Sequence, residues 1–198
     1  SNYHKKKRSN LLRIFGSDII SWSVDDLFLN TKLIQVDKKK AIFTSYIDRN
    51  LELLISIWKS YIFTKNKEIK LFITPHNKNF SNFNIFNRKF GTQNELINDL
   101  ISSKVLLVPG HKAELFCIAA EEARELCIPV VTLGIGALSE RIKHNITGFI
   151  AKNEKQFAEY TLELFNNENK WNEIRNNLIK IRGISNWTKS AKNFLQKL

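Results

Sequence analysis

From Lys40 onward, short continuous apolar runs alternate with amphipathic stretches of helical length. Ala41-Ile42-Phe43-Thr44 predicts a buried strand, Asn50 to Tyr61 a helix, Ile69 to Thr74 a strand stopped by Pro75, and Gln93 to Ser102 a second helix. Val105-Leu106-Leu107-Val108 predicts the next strand, Phe116 to Leu126 a helix, Val130-Val131-Thr132-Leu133 a strand, and the residues after Gly136 a short helix. The segment from His76 to Phe90 has no period and reads as a loop with one short strand at Asn84 to Phe86; Glu154 to Leu198 reads as helical, with breaks at Asn166-Asn167 and Arg182-Gly183. Strands that are apolar throughout and separated by helices are buried on both faces, so the expected fold class is α/β, a Rossmann-like parallel sheet with helices on both faces. Ligands of such sheets bind beyond the carboxyl ends of the strands, which directs attention to the residues just after Phe43, Ile73, Val108 and Leu133.

Composition narrows the class. With 43% hydrophobic and 11% aromatic residues the 198-residue chain is too apolar to be disordered, and its apolar runs are too short to cross a bilayer. Cys117 and Cys127 have no neighbours at metal-ligand spacing, which fits a reducing compartment, and the basic run His4 to Arg8 leads into no apolar signal stretch; a cytoplasmic protein is expected. The absence of methionine suggests an excised piece of something longer. The net charge of +12 is spread along the chain without stacking aromatics interleaved, so no nucleic-acid partner is expected, while a peripheral contact with an acidic membrane, at its inner face, is compatible with it.

The richest chemistry lies beyond the strand at Val105 to Val108. Glu114 stands at the start of the next helix and Glu122 in its body. At about 100° per residue, Phe116, Ala119, Ala120, Ala123, Leu126 and Cys127 form one apolar stripe, Glu122 falls on its border, and Glu121 and Glu125 point to solvent. A border carboxylate is half-buried and suited to a directed hydrogen bond with a ligand hydroxyl. The two glutamates are about 12 Å apart along the helix, comparable to the reach from ribose to sugar in a nucleotide diphosphate sugar.

The run Glu114 to Ala123 resembles the E-P-F-G-x-x-x-x-E-A motif of the group 1 (family four) retaining glycosyltransferases. In the same order, Cys127-Ile128-Pro129-Val130-Val131 is similar to their G-x-P-V-V, Gly136 to Glu140 to G-G-x-x-E, and Asn145 to Phe149 to D-G-x-T-G-x. Ser23-Val24-Asp25 with Phe28 resembles the N-G-V-D-x-x-F that opens their C-terminal domain, and Ser185-Asn186-Trp187 the S-W of their closing helix. The resemblance implies the C-terminal, donor-binding half of a GT-B enzyme. Residues 1–39 would lead in from an acceptor domain, 40–183 would bind the nucleotide sugar, and 184–198 would form the closing helix.

By the same resemblance Glu122 holds the ribose hydroxyls, Glu114 lies beside the donor sugar, and the backbone N–H groups of Phe116, Cys117 and Ile118 face the phosphates. A helix N-terminus stabilises charge growing on a leaving diphosphate, and with no D-x-D pair neither a metal nor another cofactor is expected. The family's cationic pair after the first strand falls on Thr44 and Arg49: Arg49 takes the lysine's place, Thr44 replaces the other cation, Ser45 follows it, and Asn50 replaces a glycine. Lys112 or Arg88 could substitute for the lost cation; Leu115 for Pro and Cys117 for Gly are further departures, and His111 is a candidate sugar contact. Gly134 to Ser139 nearly spells a dinucleotide fingerprint but lacks the third glycine and the following acid, which argues against NAD.

The expected function is retaining sugar transfer from a UDP-, GDP- or ADP-linked donor to an acceptor hydroxyl in polysaccharide or lipid glycan assembly. The acceptor is expected to be bound by an N-terminal domain, and the fragment to be inactive alone. The alternatives are a nucleotide-sugar epimerase of the same architecture and a noncatalytic sugar-nucleotide-binding domain.

Overall fold

The computed structural model describes residues 1–14, 17–20 and 22–196. Residues 15, 16 and 21 of the expected lead-in segment and 197 and 198 of the expected closing helix lie outside the described residues. The chain begins with three short helices, α1 (Asn2–Lys7), α2 (Asn10–Arg13) and α3 (Asp26–Asn30). Strand β1 (Asp37–Ile42) leads to α4 (Leu51–Ile57), whose last turn widens into a π-helical segment, Trp58–Ile62. Next come β2 (Lys70–Ile73), a 3-10 turn at Ser81–Phe83, β3 (Ile85–Asn87), α5 (Gln93–Ile101), β4 (Ser103–Leu107) and α6 (Ile118–Glu125). The chain continues through β5 (Val130–Thr132), α7 (Leu138–Arg141), β6 (Gly148–Ile150), α8 (Glu154–Asn166), α9 (Glu168–Ile181) and α10 (Trp187–Leu195). Among the described residues no helix is long and apolar enough to cross a membrane.

All six strands are parallel, in the order β3-β2-β1-β4-β5-β6. Every residue of β4 is buried, as the sheet's interior position requires. Trp58, Phe157 and Trp171 fill the layer on one face; Phe28, Leu100, Ala120 and Leu126 belong to the layer on the other. The chain is therefore α/β with helices on both faces.

Sequence expectations and structure differ at particular places. The first strand starts at Asp37 rather than Ala41, because Lys38 and Lys39 lie at the exposed end of the sheet and Lys40 is buried against Asp99 and Ser102, at 3.4 and 2.8 Å. Strand β6 was not anticipated, since three residues are too short to display a period and only its pairing with β5, from Val130 with Gly148 to Thr132 with Ile150, defines it. The asparagine-rich breaks are helix caps: Asn153, Asn167 and Asn186 accept from the amides of Gln156, Lys170 and Lys189 at 2.9, 3.0 and 2.9 Å.

The helical projection of α6 needs the largest correction. Glu121 and Glu125 do not point to solvent; they are 2% and 0% exposed. Glu121 is bridged by Arg124 and by Arg141 of α7 (3.1 Å), while Glu125 accepts from Arg124 at 2.6 Å and from the Gly183 amide at 2.7 Å. The face that looked external is covered by α7 and by the turn after α9. Removing one partner of a buried ion pair leaves the other charge unsolvated and unpaired. Glu121→Ala is therefore expected to lower folding stability by about 3 kcal/mol, measured by urea denaturation of the whole chain; a loss within experimental error would show that Arg124 and Arg141 find water instead.

Candidate functional site

The order of strands puts the site between β1 and β4. From β1 the chain proceeds toward β2 on one side, and from β4 toward β5 on the other, so a crevice opens beyond their carboxyl ends. Two loops meet there, residues 43–50 after β1 and 108–117 after β4. The loop after β5 fastens the second of these in place: Gly110 bridges Ile135, and the Ala137 amide donates to the Glu114 carbonyl at 2.8 Å. Gly136 makes this approach feasible. Its φ is +75°, and a Cβ there would stand 2.4 Å from the His111 carbonyl oxygen and 2.8 Å from that of Glu114.

Several expected site residues converge. Arg49 Nε lies 3.8 Å from Glu114 Oε2, and Arg49 Nη1 lies 3.4 Å from His111 Nδ1. Glu114 folds back on its own loop, its Oε1 accepting the Cys117 amide at 3.1 Å. That amide, expected to face phosphates, is thus engaged by the glutamate beside it. Asn50 and Cys117, which replace glycines of the family pattern, both adopt left-handed backbone, with φ of 63° and 64°. Asparagine tolerates this region, and the Asn50 side chain donates to the Gly110 carbonyl, tying the two loops together. Cys117 is buried, and burial first, with Glu114 next, pushes its thiol up to about 12, so it stays protonated and unreactive.

The expected site residues divide between two cavities, except His111 and Glu122, which line neither. Arg49, Glu114, Phe116, Cys117 and Ile118 line one of about 580 Å³. Thr44 and Ser45 do not share it; they line a second, of about 330 Å³, with Tyr46, Pro75, Arg88 and Phe90. The Thr44 hydroxyl is buried without a hydrogen-bond partner among the described residues. Glu122 is half-buried in the body of α6, as the border position predicted. Burial raises its carboxyl to about 7, with the Arg88 guanidinium opposing the shift. Arg88 is itself tied to Asp99 at 2.9 Å.

Two features escaped the sequence reading. Arg141 places its guanidinium 4.2 Å from the centre of the Phe116 ring, holding that side chain at the cavity wall. The basic run His4 to Arg8, read only as charge, forms α1 and its end, and His4, Lys5 and Arg8 line the larger cavity. No local signal separated these lysines from the others in the chain.

Comparison with known proteins places this geometry. Residues 84–181 match the sequence profile described as glycosyl transferases group 1. No curated protein sequence matches the chain significantly. Among solved structures, a mutant of TarM from S. aureus, crystallised with fondaparinux, alpha-GlcNAc-glycerol and UDP, superposes with a TM-score of 0.73 at 19% identity over 94% of this chain and 41% of its own. HepE from Anabaena, in complex with UDP and glucose, gives 0.66 at 12% identity over 80% of this chain and 47% of its own. The C-terminal domain of LpcC, a group 1 family glycosyl transferase protein from Francisella tularensis, gives 0.60 at 18% identity, covering 75% of this chain and 85% of its own. The chain thus spans about two fifths of TarM and under half of HepE, and the likeness to all three is one of fold. The profile is thus matched across β3 to α9, just under half of the chain, and the surrounding sheet has the GT-B fold of the glycosyltransferase structures it resembles.

Proposed function

We propose that this chain is the donor-binding half of a retaining, metal-independent glycosyltransferase, which moves a sugar from a nucleoside diphosphate to an acceptor hydroxyl presented by another domain. The observation that carries this reading is the convergence of Arg49, His111 and Glu114 on the mouth of α6. The diphosphate lies along the amides of Phe116 and Ile118 and against Arg49; the Cys117 amide joins them when Glu114 turns from it to the sugar. His111 flanks the same sugar. Charge accumulates on the diphosphate as the glycosidic bond breaks, and a preorganised guanidinium with backbone dipoles stabilises that charge more than the ground state. The Glu122 carboxylate accepts the ribose hydroxyls, and the cavity bearing Thr44, Ser45, Tyr46 and Phe90 takes the base.

TarM and HepE were crystallised with UDP, which favours a uridine diphosphate sugar here. The two buried free thiols suit the cytoplasm, where the product enters a polysaccharide or lipid glycan. The acceptor is positioned by the second domain of the cleft, so this chain alone binds donor and turns over nothing.

Isothermal titration with UDP, GDP and ADP, each against its nucleoside and all in EDTA, tests the reading. At least one diphosphate is expected to bind, and Arg49→Ala is expected to weaken that diphosphate about tenfold while leaving the nucleoside unchanged. Binding that disappears in EDTA, or equal losses for both ligands, would contradict it.

Glu122 supplies a pH signature. Its folded-state value of about 7 lies above the ordinary 4.5, so the native state holds the proton more tightly and folding stability falls as pH rises through this window. Ribose hydroxyls donate to the ionised form. Affinity for the nucleoside, which has no phosphate titrating in this range, should therefore rise between about pH 6 and 8, and Glu122→Gln should bind weakly with a flat profile; a dependence that survives the substitution would remove Glu122 from the ribose site.

A further inference from the structure

The larger cavity has two walls, and only one comes from the loops around α6. The other is the N-terminal segment, which contributes His4, Lys5 and Arg8 together with Ser17, Asp18 and Trp22. Its position is set by specific bonds. The Glu140 carboxylate, on α7, accepts the Asn2 amide at 2.9 Å and the Tyr3 amide as well, capping α1. The Tyr3 hydroxyl donates to the Lys112 carbonyl at 2.6 Å, and the Ser1 hydroxyl to the Leu115 carbonyl at 2.5 Å, so α1 is fastened to the same loop that carries Glu114. Lys5 Nζ donates to the Ser17 carbonyl at 3.2 Å, which holds the ammonium within the wall. On the facing side the Trp22 and Phe116 rings meet at 5.9 Å and close the cavity's apolar flank.

The charges on these walls have a consequence for an anion. Arg49 alone faces Glu114 across the loop side, a pair with no net charge. The N-terminal segment adds Lys5 and Arg8 against one carboxylate, Asp18, so the side chains lining the cavity carry three fixed cations and two carboxylates. Thr44, which replaces a cation of the family pattern, lines the other cavity and offers only a hydroxyl. Resting on the donor-site reading above, we infer that Lys5 and Arg8 supply the positive charge that Thr44 does not, and that they contact the diphosphate of the nucleoside diphosphate sugar directly. Neutralising both would lower the side-chain charge of the cavity from one positive to one negative, which weakens its attraction for a diphosphate and leaves a nucleoside untouched.

The test compares Lys5→Gln, Arg8→Gln and the double variant with the unaltered 198-residue chain, by titration with the diphosphate it binds best and with the matching nucleoside. Each single change should weaken the diphosphate about tenfold, and the pair more, with nucleoside affinity unchanged. The double variant should also show a flatter dependence on salt. Lys7→Gln removes the same charge from α1 at a residue packed over the Tyr3 ring rather than on the cavity wall, and should change nothing; Lys5→Arg should keep the affinity. Circular dichroism melts of each variant establish that the fold is intact. Unchanged or tighter diphosphate binding by the double variant, or a loss shared by the nucleoside or by Lys7→Gln, overturns the inference while leaving the donor site in place. If the unaltered chain binds no nucleoside diphosphate, the donor-site reading fails and this inference falls with it.

Discussion

Strands β1 and β4 lie side by side in parallel, yet the chain leaves their carboxyl ends in opposite directions, and no connection can cover the crevice between them. The candidate site is built at that opening. The loops after β1 and β4 are brought face to face, so residues as far apart in sequence as Arg49 and Glu114 come within 3.8 Å. A helix that starts at the same point turns its positive dipole end toward the opening, with the Cys117 amide at its start held by Glu114. The close backbone approach of Gly136 to the His111 and Glu114 carbonyls then fixes the loop in one conformation, at a position where even one added carbon would collide.

Electrostatics divides the glutamates of α6 by what covers them rather than by their position in the sequence. Glu121 and Glu125 are fully compensated by Arg124, Arg141 and the Gly183 amide, and their part is to lock α6 against α7 and the turn after α9. Glu122 has lost water without gaining a comparable partner, and its carboxyl is correspondingly hard to ionise. Among the described residues Glu122 has no ion pair, and it lines neither of the two cavities, so it does not share in holding α6 to its neighbours. The same contrast applies to the cations. Arg88 is committed to Asp99 at 2.9 Å and Lys104 to Glu168 at 2.7 Å, whereas Arg49 stands 3.8 Å from each of two carboxylates, Asp48 and Glu114.

The departures from the family pattern also acquire a physical meaning. Asn50 and Cys117 stand where glycine is usual, and the backbone still takes the left-handed conformation that glycine serves. At Asn50 a side-chain bond to the Gly110 carbonyl offsets the strain; at Cys117 the thiol is packed into the core around α6. Among the described residues, the positive side chains that join Arg49 on the larger cavity come from the N-terminal segment.

The sequence determined much by itself: five of the six strands of the sheet, most of the helices, the parallel α/β class, and the border position of Glu122. These are local properties, because a side chain's period against the core is set by the geometry of its own strand or helix. The tertiary structure decided the rest. Strand β6 exists through its pairing with β5, and the burial of Lys104 through Glu168, 64 residues away. The inward position of Glu121 depends on Arg141, 20 residues on, and the placement of α1 over the cavity on Glu140, 137 residues from Tyr3. Charged and very short segments carry no period of their own, so whether they face water, core or ligand is settled only by the partners that the completed fold places opposite them.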